Sequence, residues 1–179
     1  MEGEILEDIK RQKTLFSRNK ISERVQELGI EISSDYKSKE LVVISLLRGS
    51  FIFTADLVRE LTIPVEVDFM TTSSYGNNEK SNGYVDIVHD IRANISGKEV
   101  LIVDDIMDSG FTLERVIKHL ETKTPNSIKI CVMLDKPSRR KVDSSPDYVG
   151  FTIPDVFIVG YGLNYGDLYR NTPYIFTFD

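Results

Sequence analysis

Two apolar runs are the clearest pattern in the chain. Leu41 to Leu47 and Val100 to Val103 are almost entirely apolar and rich in β-branched residues. Such runs are typical of strands buried on both faces of a parallel sheet. Behind the second run, apolar residues recur at the i, i+3, i+4 and i+7 spacing of one helix face. These residues are Leu113, Val116, Ile117 and Leu120. The pattern predicts a buried strand followed by a helix.

Helical signals also flank the first apolar run. The first 38 residues have helical spacing, with a capping pattern that starts at Ser22 and a break at Gly29. A second helix is expected after Arg48-Gly49-Ser50, ending before Pro64. Its predicted apolar face consists of Phe51, Ala55 and Val58.

Further strands alternate with these helices. They are expected at Val65 to Thr72, residues 84–91, Ile128 to Leu134, Tyr148 to Thr152 and Val156 to Gly160. Ser73 to Gly83 is polar and rich in Gly, Asn and Ser, which predicts a mobile loop. No repeat or low-complexity linker divides the 179 residues. The alternation predicts a single α/β domain, residues 1–179, with a mostly parallel, doubly wound sheet flanked by helices.

Three carboxylates, Asp104, Asp105 and Asp108, come directly after the second apolar run. Ligands of parallel α/β sheets bind at the carboxyl ends of the strands. Free N–H groups and the helix dipole at Ser109-Gly110 would attract a phosphate. Carboxylates would repel that phosphate unless they serve sugar hydroxyls, a metal or a proton in transfer. An Asp or Ser before a helix is ordinarily a cap, but three acids in five positions exceed what capping needs. The segment therefore predicts a phosphorylated sugar as ligand.

Composition narrows the classes of function. The formal net charge of −6 argues against nucleic-acid binding, which needs a basic face. The single cysteine, Cys131, lies in an apolar run, so we expect a buried, inert thiol and a reducing cytoplasm. No apolar stretch approaches 18 residues and the N-terminus is polar, so neither a membrane span nor a signal peptide is expected. The chain has no Walker A sequence.

The segment from Val100 to Thr112 resembles the phosphoribosyl-diphosphate (PRPP) motif of type I phosphoribosyltransferases. That motif places two acidic residues after a hydrophobic strand, followed by Asp-[Ser/Thr]-Gly-x-Thr. The resemblance implies the fold of that family, with a small hood formed by terminal segments. It also implies that Asp104 and Asp105 bind the ribose hydroxyls. The 5′-phosphate would be bound by Ser109, Gly110, Phe111 and Thr112.

Other segments resemble the hypoxanthine-guanine branch of this family. They are Leu46 to Ser50, Ser73 to Gly76, Leu134 to Pro137, Pro154 to Gly162 and Tyr169 to Asn171. The resemblance thus extends from about residue 40 to residue 175. It implies that a phosphoribosyl group is transferred from PRPP to hypoxanthine or guanine, which gives IMP or GMP and pyrophosphate.

The same resemblance assigns roles around the purine and the pyrophosphate. Lys136 would donate to the 6-oxo group, Phe157 would stack on the ring and the Ile158 backbone would bind its edge. Asp108 is the candidate general base for the proton on the purine imidazole ring. Ser74 and Tyr75 resemble a lid that excludes water. Pyrophosphate would be bound by Arg48, Gly49 and Arg170 together with Mg²⁺; the Arg48-Gly49 turn often has a cis peptide in the family.

Two positions depart from the family pattern. Phe111 stands where a polar or basic residue is frequent, which a loop that binds phosphate through its backbone should tolerate. Asn164 stands where the family usually has a magnesium-binding Asp. The expected metal-binding residues are therefore Asp104, Asp105 and Asn164. Because Mg²⁺ prefers carboxylates, we expect a higher magnesium requirement than is usual in the family.

Two alternatives stay open. One is a PRPP-binding regulator that keeps the fold but acts on RNA or DNA. The other is a related enzyme that prefers xanthine, because discrimination among 6-oxopurines depends on pocket detail around residues 158–164. The expected partners are small-molecule substrates and other copies of the same chain, in a homodimer or homotetramer. Neither nucleic acid nor a membrane is expected as a partner.

Overall fold

The computed structural model describes residues 12–74 and 85–178. The helices of these segments are α1 (Arg18–Asp35), α2 (Phe51–Glu60) and α3 (Phe111–Glu121). The strands are β1 (Gln12–Phe16), β2 (Leu41–Leu47), β3 (Val65–Ser74), β4 (Val85–His89), β5 (Glu99–Met107), β6 (Ser127–Asp135), β7 (Tyr148–Thr152) and β8 (Ile175–Phe178). A 3-10 turn, Pro137–Arg139, follows β6.

The central sheet has the strand order β4-β3-β2-β5-β6-β7. β4 is antiparallel to β3, and the other neighbouring pairs are parallel. β5 lies between β2 and β6, so its carboxyl end is at the centre of one sheet edge. This arrangement confirms the predicted mostly parallel, doubly wound α/β fold and places the carboxylates of β5 where a site is expected.

The sheet is buried on both faces because its strand residues alternate between two cores. Val43, Leu101 and Val103 face a core built on α1 and α2. Ile44 and Ile102 face a second core, which contains the apolar side chains Leu113, Val116 and Leu120 of α3. The helix face predicted for residues 113–120 is confirmed. Cys131 is buried in the first core, and burial raises the pKa of its thiol.

A two-stranded antiparallel sheet joins segments from near the two ends of the chain. β1 pairs with β8, with Gln12 opposite Phe178 and Thr14 opposite Phe176. The expectation that the first 38 residues are helical is therefore wrong for residues 12–16, which obtain their partner from the far end of the chain. The helix begins after Ser17, whose side chain accepts a hydrogen bond from the Lys20 N–H, and not at Ser22.

Gly29 does not break α1. A Cβ on this residue would stand 2.6 Å from the Cβ of Glu60 and 2.9 Å from its carbonyl oxygen. The glycine is needed because α1 and α2 approach closely at this position. The sequence signal was genuine, but its meaning was packing between helices and not termination of one.

Two other local predictions are corrected. The buried face of α2 consists of Phe53, Thr54 and Leu57, whereas Phe51 is 41% exposed. Of the predicted face, Val58 is partly buried against the first core, whereas Phe51 and Ala55 are exposed, because the core packs on the side of the helix that carries Phe53, Thr54 and Leu57.

Val156 to Gly160 is also not a strand. Only isolated bridges form there, from Val159 to Phe176 and from Gly160 to Leu163. Of the predicted loop at 73–83, residues 73 and 74 belong to β3, and 75–83 lie outside the described residues. In the part of the chain that the structure describes, no helix is long and apolar enough to cross a membrane.

Candidate active site

A cavity of about 260 Å³ opens at the carboxyl ends of β2 and β5 and the start of α3. Many of the predicted site residues line it. They are Arg48, Gly49, Asp104, Asp105, Asp108, Ser109, Gly110 and Thr112. Phe111 and Arg170 are not part of this lining. The sheet therefore brings together the Arg-Gly turn after β2 and the acidic turn after β5, although more than fifty residues separate them in the sequence.

Asp104 and Asp105 belong to β5 itself and line the cavity. The Oδ1 atom of Asp104 accepts the N–H of Asp105 at 2.9 Å. Burial raises the pKa of Asp104 well above its usual range, and the charge of Asp105 raises it further. Burial also raises the pKa of Asp105, whereas the positive charge of Arg170 lowers it. Two carboxylates held this way favour ligands that donate hydrogen bonds or carry positive charge.

The turn before α3 leaves the helix N-terminus free. Its N-cap is Gly110, which has no side chain to cap the helix and has a φ of +89°. A Cβ at this position would also stand 2.4 Å from the Cγ2 of Val142. Both facts require glycine. Free N–H groups at a helix start attract anions, so the local structure suits a phosphate better than the ordinary cap.

Three segments meet at Gly49. The peptide bond between Leu47 and Arg48 is cis. A Cβ on Gly49 would stand 1.6 Å from the Oδ2 of Asp105, so the backbone of the turn lies directly against that carboxylate. The carbonyl oxygen of Gly49 would in turn be 2.0 Å from a Cβ on Gly162. Arg170 donates from Nη1 to the carbonyl of Gly162 at 2.7 Å, which holds its guanidinium beside this junction.

The end of β6 lies beside the end of β5, although Lys136 is not part of the cavity lining. Lys136 is buried, and its N–H donates to the carbonyl of Met107 at 3.0 Å. This bond keeps the residue after β6 next to the end of β5. The Nζ atom of Lys136 lies 3.9 Å from Oδ1 of Asp155. Asp135, the preceding residue, is paired with Arg140.

Arg139 connects this side to the acidic turn, and sequence reasoning did not single it out. Its Nε lies 2.7 Å from Oδ1 of Asp108, and its Nη1 lies 3.3 Å from Oδ1 of Asp155. The signal in the sequence was a basic stretch, Lys136 to Lys141, which is an ordinary solvated segment unless its contacts are known.

The remaining predicted residues lie on the segment from 154 to 165 or before residue 85. Phe157 is 58% exposed and contacts the ring edge of Tyr165, with the centroids 5.8 Å apart. Ile158 is buried in the first core. Asn164 donates from Nδ2 to the carbonyl of Gly166 and is not part of the cavity lining. The backbone of Ser74 ends β3, and Tyr75 lies outside the described residues.

Comparisons with known proteins agree with this geometry. The family model described as "Phosphoribosyl transferase domain" matches residues 11–166. The chain is 51% identical to the hypoxanthine phosphoribosyltransferase of Haemophilus influenzae, covering 90% of this chain and 92% of that protein. It is 49% identical to the hypoxanthine-guanine phosphoribosyltransferase of Aquifex aeolicus, covering 93% and 94%. The chain belongs to the hypoxanthine-guanine phosphoribosyltransferase family.

A solved structure extends the similarity to the fold. The crystal structure of a hypoxanthine phosphoribosyltransferase from Staphylococcus aureus matches with a TM-score of 0.90 and 42% identity, covering 93% of this chain and 91% of that one. Membership of the phosphoribosyltransferases, expected from the motifs, is thus confirmed. The individual roles of the site residues stay predictions.

The donor set of the cavity can be tested against the magnesium ion that this family implies. Asp104 and Asp105 supply carboxylates whose pKa values are raised by burial. A bound divalent cation would stabilise their charged forms and so lower these pKa values. Among residues 12–74 and 85–178, no cluster of three or more acidic, histidine or cysteine side chains forms a complete cage. Mg²⁺ is usually bound by one or two carboxylates together with substrate phosphates and water. The residues present therefore fit Mg²⁺ that arrives with a phosphorylated substrate.

Proposed function

We propose that the protein transfers the 5-phosphoribosyl group of PRPP to hypoxanthine or guanine and releases pyrophosphate. One observation carries the proposal. The paired carboxylates Asp104 and Asp105 line the same cavity as the uncapped N-terminus of α3. A ligand with both hydroxyl groups and a phosphate, such as a sugar phosphate, complements the two features at once.

The donor half of the site would bind PRPP along this cavity. Asp104 and Asp105 accept hydrogen bonds from the ribose hydroxyls, and the backbone N–H groups of 109–112 bind the 5′-phosphate. Arg48 and Arg170 face the leaving pyrophosphate. As the bond to pyrophosphate breaks, positive charge develops on the ribose ring and negative charge on the departing group. Preorganised cations beside that group lower the barrier without reorganisation.

The acceptor half would bind the purine between β5 and the segment from 154 to 165. Lys136 donates to the 6-oxo group, Phe157 stacks on the ring and Asp108 accepts the imidazole proton. A buried ammonium left without an acceptor is costly, so adenine, which presents an amino group there, should be rejected. A positioned base of this kind contributes about 10²–10⁴-fold to the rate.

Magnesium is the proposed cofactor; Asp104 and Asp105 would hold it in the cavity, and Asn164, which lies outside the cavity lining, would contribute a neutral oxygen on the pyrophosphate side. When bound, the ion supplies positive charge that neutralises the pyrophosphate oxygens. Asp104 and Asp105 would also orient the ribose ring through its hydroxyl groups. Because Asn164 contributes no charge, the magnesium requirement should be higher than with an aspartate.

The test is release of pyrophosphate from PRPP and Mg²⁺ with hypoxanthine, guanine, xanthine or adenine supplied separately. Turnover with hypoxanthine and guanine but not with adenine supports the proposal. Preference for xanthine would keep the proposed reaction but would change the proposed acceptor from hypoxanthine or guanine to another 6-oxopurine. A folded protein that binds PRPP but is inactive with all four bases would overturn the proposal. Binding of RNA or DNA at physiological salt would then favour a regulator.

A homodimer or homotetramer is also part of the proposal. Phe51 on α2, and Val67 and Phe69 on one face of β3, are 41%, 38% and 48% exposed. Large exposed apolar side chains are typical of subunit interfaces. Light scattering after size exclusion would measure the mass, and a monomer at micromolar concentration would contradict this part. The unpaired thiol of Cys131 fits the cytoplasm that we propose as location.

A further inference from the structure

Arg139 holds one oxygen of the candidate base. Its Nε lies 2.7 Å from Oδ1 of Asp108 in an ion pair that lacks hydrogen-bond geometry, and this oxygen is closed to solvent. The Asp108 side chain as a whole remains 39% exposed, so its accessible surface lies on its other atoms. One carboxylate oxygen is thus ion-paired with Arg139, while the remaining side-chain atoms of Asp108 account for its exposed surface.

The same guanidinium also contacts the segment that carries the purine-binding residues. Nη1 of Arg139 lies 3.3 Å from Oδ1 and 3.5 Å from Oδ2 of Asp155. Lys136 lies farther from Asp155, at 3.9 Å. Arg139 is therefore the closer partner of Asp155. The ammonium of Lys136 is less tightly paired with this carboxylate and can donate to another acceptor.

The position of Arg139 follows from its place in the fold. The 3-10 turn Pro137–Arg139 begins directly after Lys136, and the Arg139 N–H donates to the Lys136 carbonyl at 3.1 Å. A planar guanidinium presents several donors in a fixed geometry and can bind two carboxylates at once. A lysine at this position would be a point charge that serves one of them.

We infer that Arg139 is a positioning residue: it fixes the orientation of Asp108 toward the purine and leaves Lys136 available for the 6-oxo group. The inference rests on the proposed transferase function and extends it. Asp108, Arg139, Asp155 and Lys136 form a chain of alternating charge around the expected purine position. Removing Arg139 leaves two carboxylates and one ammonium, so Asp108 loses its fixed orientation and Lys136 becomes the main partner of Asp155.

The experiment compares Arg139→Gln and Arg139→Lys with the control Lys141→Gln, which removes a neighbouring exposed cation. We expect Arg139→Gln to lower kcat with hypoxanthine by about tenfold or more, a part of what a positioned base contributes. The dissociation constant of PRPP should stay within about twofold, because the donor half of the site is untouched. Arg139→Lys should restore part of kcat, and the control should match the wild type.

A second comparison places the effect on Asp108. In an Asp108→Asn background, Arg139→Gln should lower kcat little further, because a residue that acts through Asp108 has nothing left to position. A full additional loss in that background, weaker PRPP binding, or unchanged kcat in Arg139→Gln would each overturn the inference. Inactivity of the wild type with every purine would instead overturn the proposed function, so the two failures are distinguishable.

Discussion

Gly49 and Asp105 are in such close approach that no side chain fits between them. A Cβ on residue 49 would stand 1.6 Å from the Oδ2 of Asp105. The turn after β2 therefore reaches the carboxylate of β5 through its backbone alone. Both residues line the cavity in which the sugar phosphate is expected, so this contact joins the turn after β2 to the end of β5 there.

Gly49→Ala should lower kcat/KM for PRPP by at least about a hundredfold, because a shift of about 1 Å in positioning groups costs that much. Steady-state kinetics measures it. Gly97→Ala is the control, since its positive φ of +73° carries strain but no atom lies within 4 Å of the added Cβ. The control should lose stability and keep its activity. Wild-type PRPP kinetics in Gly49→Ala would contradict the assigned contact.

Gly29→Ala should destabilise the protein although alanine is the better helix former. The helix propensity favours alanine by about 1 kcal/mol. Its Cβ, however, would stand 2.6 Å from the Cβ of Glu60, and overpacking of this kind costs about 1–3 kcal/mol. Urea unfolding should therefore show a lower midpoint, with kcat unchanged at 25 °C. A higher midpoint would mean that α1 and α2 separate without cost.

Lys136→Gln should weaken the discrimination between hypoxanthine and adenine. Loss of a charged hydrogen bond corresponds to about 1.5–3 kcal/mol, so kcat/KM for hypoxanthine should fall about 10- to 100-fold. The ratio of the two specificity constants is the quantity to measure. Lys141→Gln is the matched control and should leave the ratio unchanged. An unchanged ratio in Lys136→Gln would remove this residue from base recognition.

Asn164→Asp should reduce the magnesium concentration needed for half-maximal rate several-fold. A carboxylate adds a charged ligand where the amide supplies a neutral one. Magnesium titration at fixed PRPP measures the change. Asp167→Asn, which alters the charge of an exposed residue three positions away, serves as control. If Asn164→Asp leaves the titration curve in place, residue 164 does not contribute to metal binding.

Asp35 should make the stability depend on pH. The hydrogen bond from the Tyr148 hydroxyl, at 2.6 Å, lowers the pKa of Asp35. A carboxyl whose folded-state pKa is depressed stabilises the fold above its unfolded value of about 3.9, and this contribution is lost as the pH falls through the folded-state pKa. The Tm of Asp35→Asn should thus be lower than wild type near pH 7 and converge with it in acid. Asp143→Asn, at an exposed position, is the comparison.

The elements predicted correctly depend on neighbours in the sequence. The apolar runs at Leu41 to Leu47 and Val100 to Val103 specify buried strands because both faces of a parallel sheet are covered. The turn from Asp108 to Gly110 carries its own conformational and electrostatic signals. That Asp104, Asp105, Asp108, Ser109, Gly110 and Thr112 line one cavity follows for the same reason, because these residues lie close together in the sequence.

Errors occurred where a distant partner decides the structure. Residues 12–16 form a strand because β8 supplies the hydrogen bonds, and helical spacing could not reveal that partner. The α2 face was misjudged because the spacing allows more than one apolar stripe, and the core selects one of them.

The sequence by itself determined the order of strands and helices from β2 to β7 and the charged and glycine residues of the turn after β5, because periodicity, glycine and charge act over a few residues. Tertiary structure alone decided that α2 packs closely against Gly29 and that Gly49 contacts Asp105. It also decided that Arg139 forms ion pairs with Asp108 and Asp155. These contacts join residues 16 to 56 positions apart in the sequence. Such pairs are brought together only when the sheet is assembled and its two cores are packed.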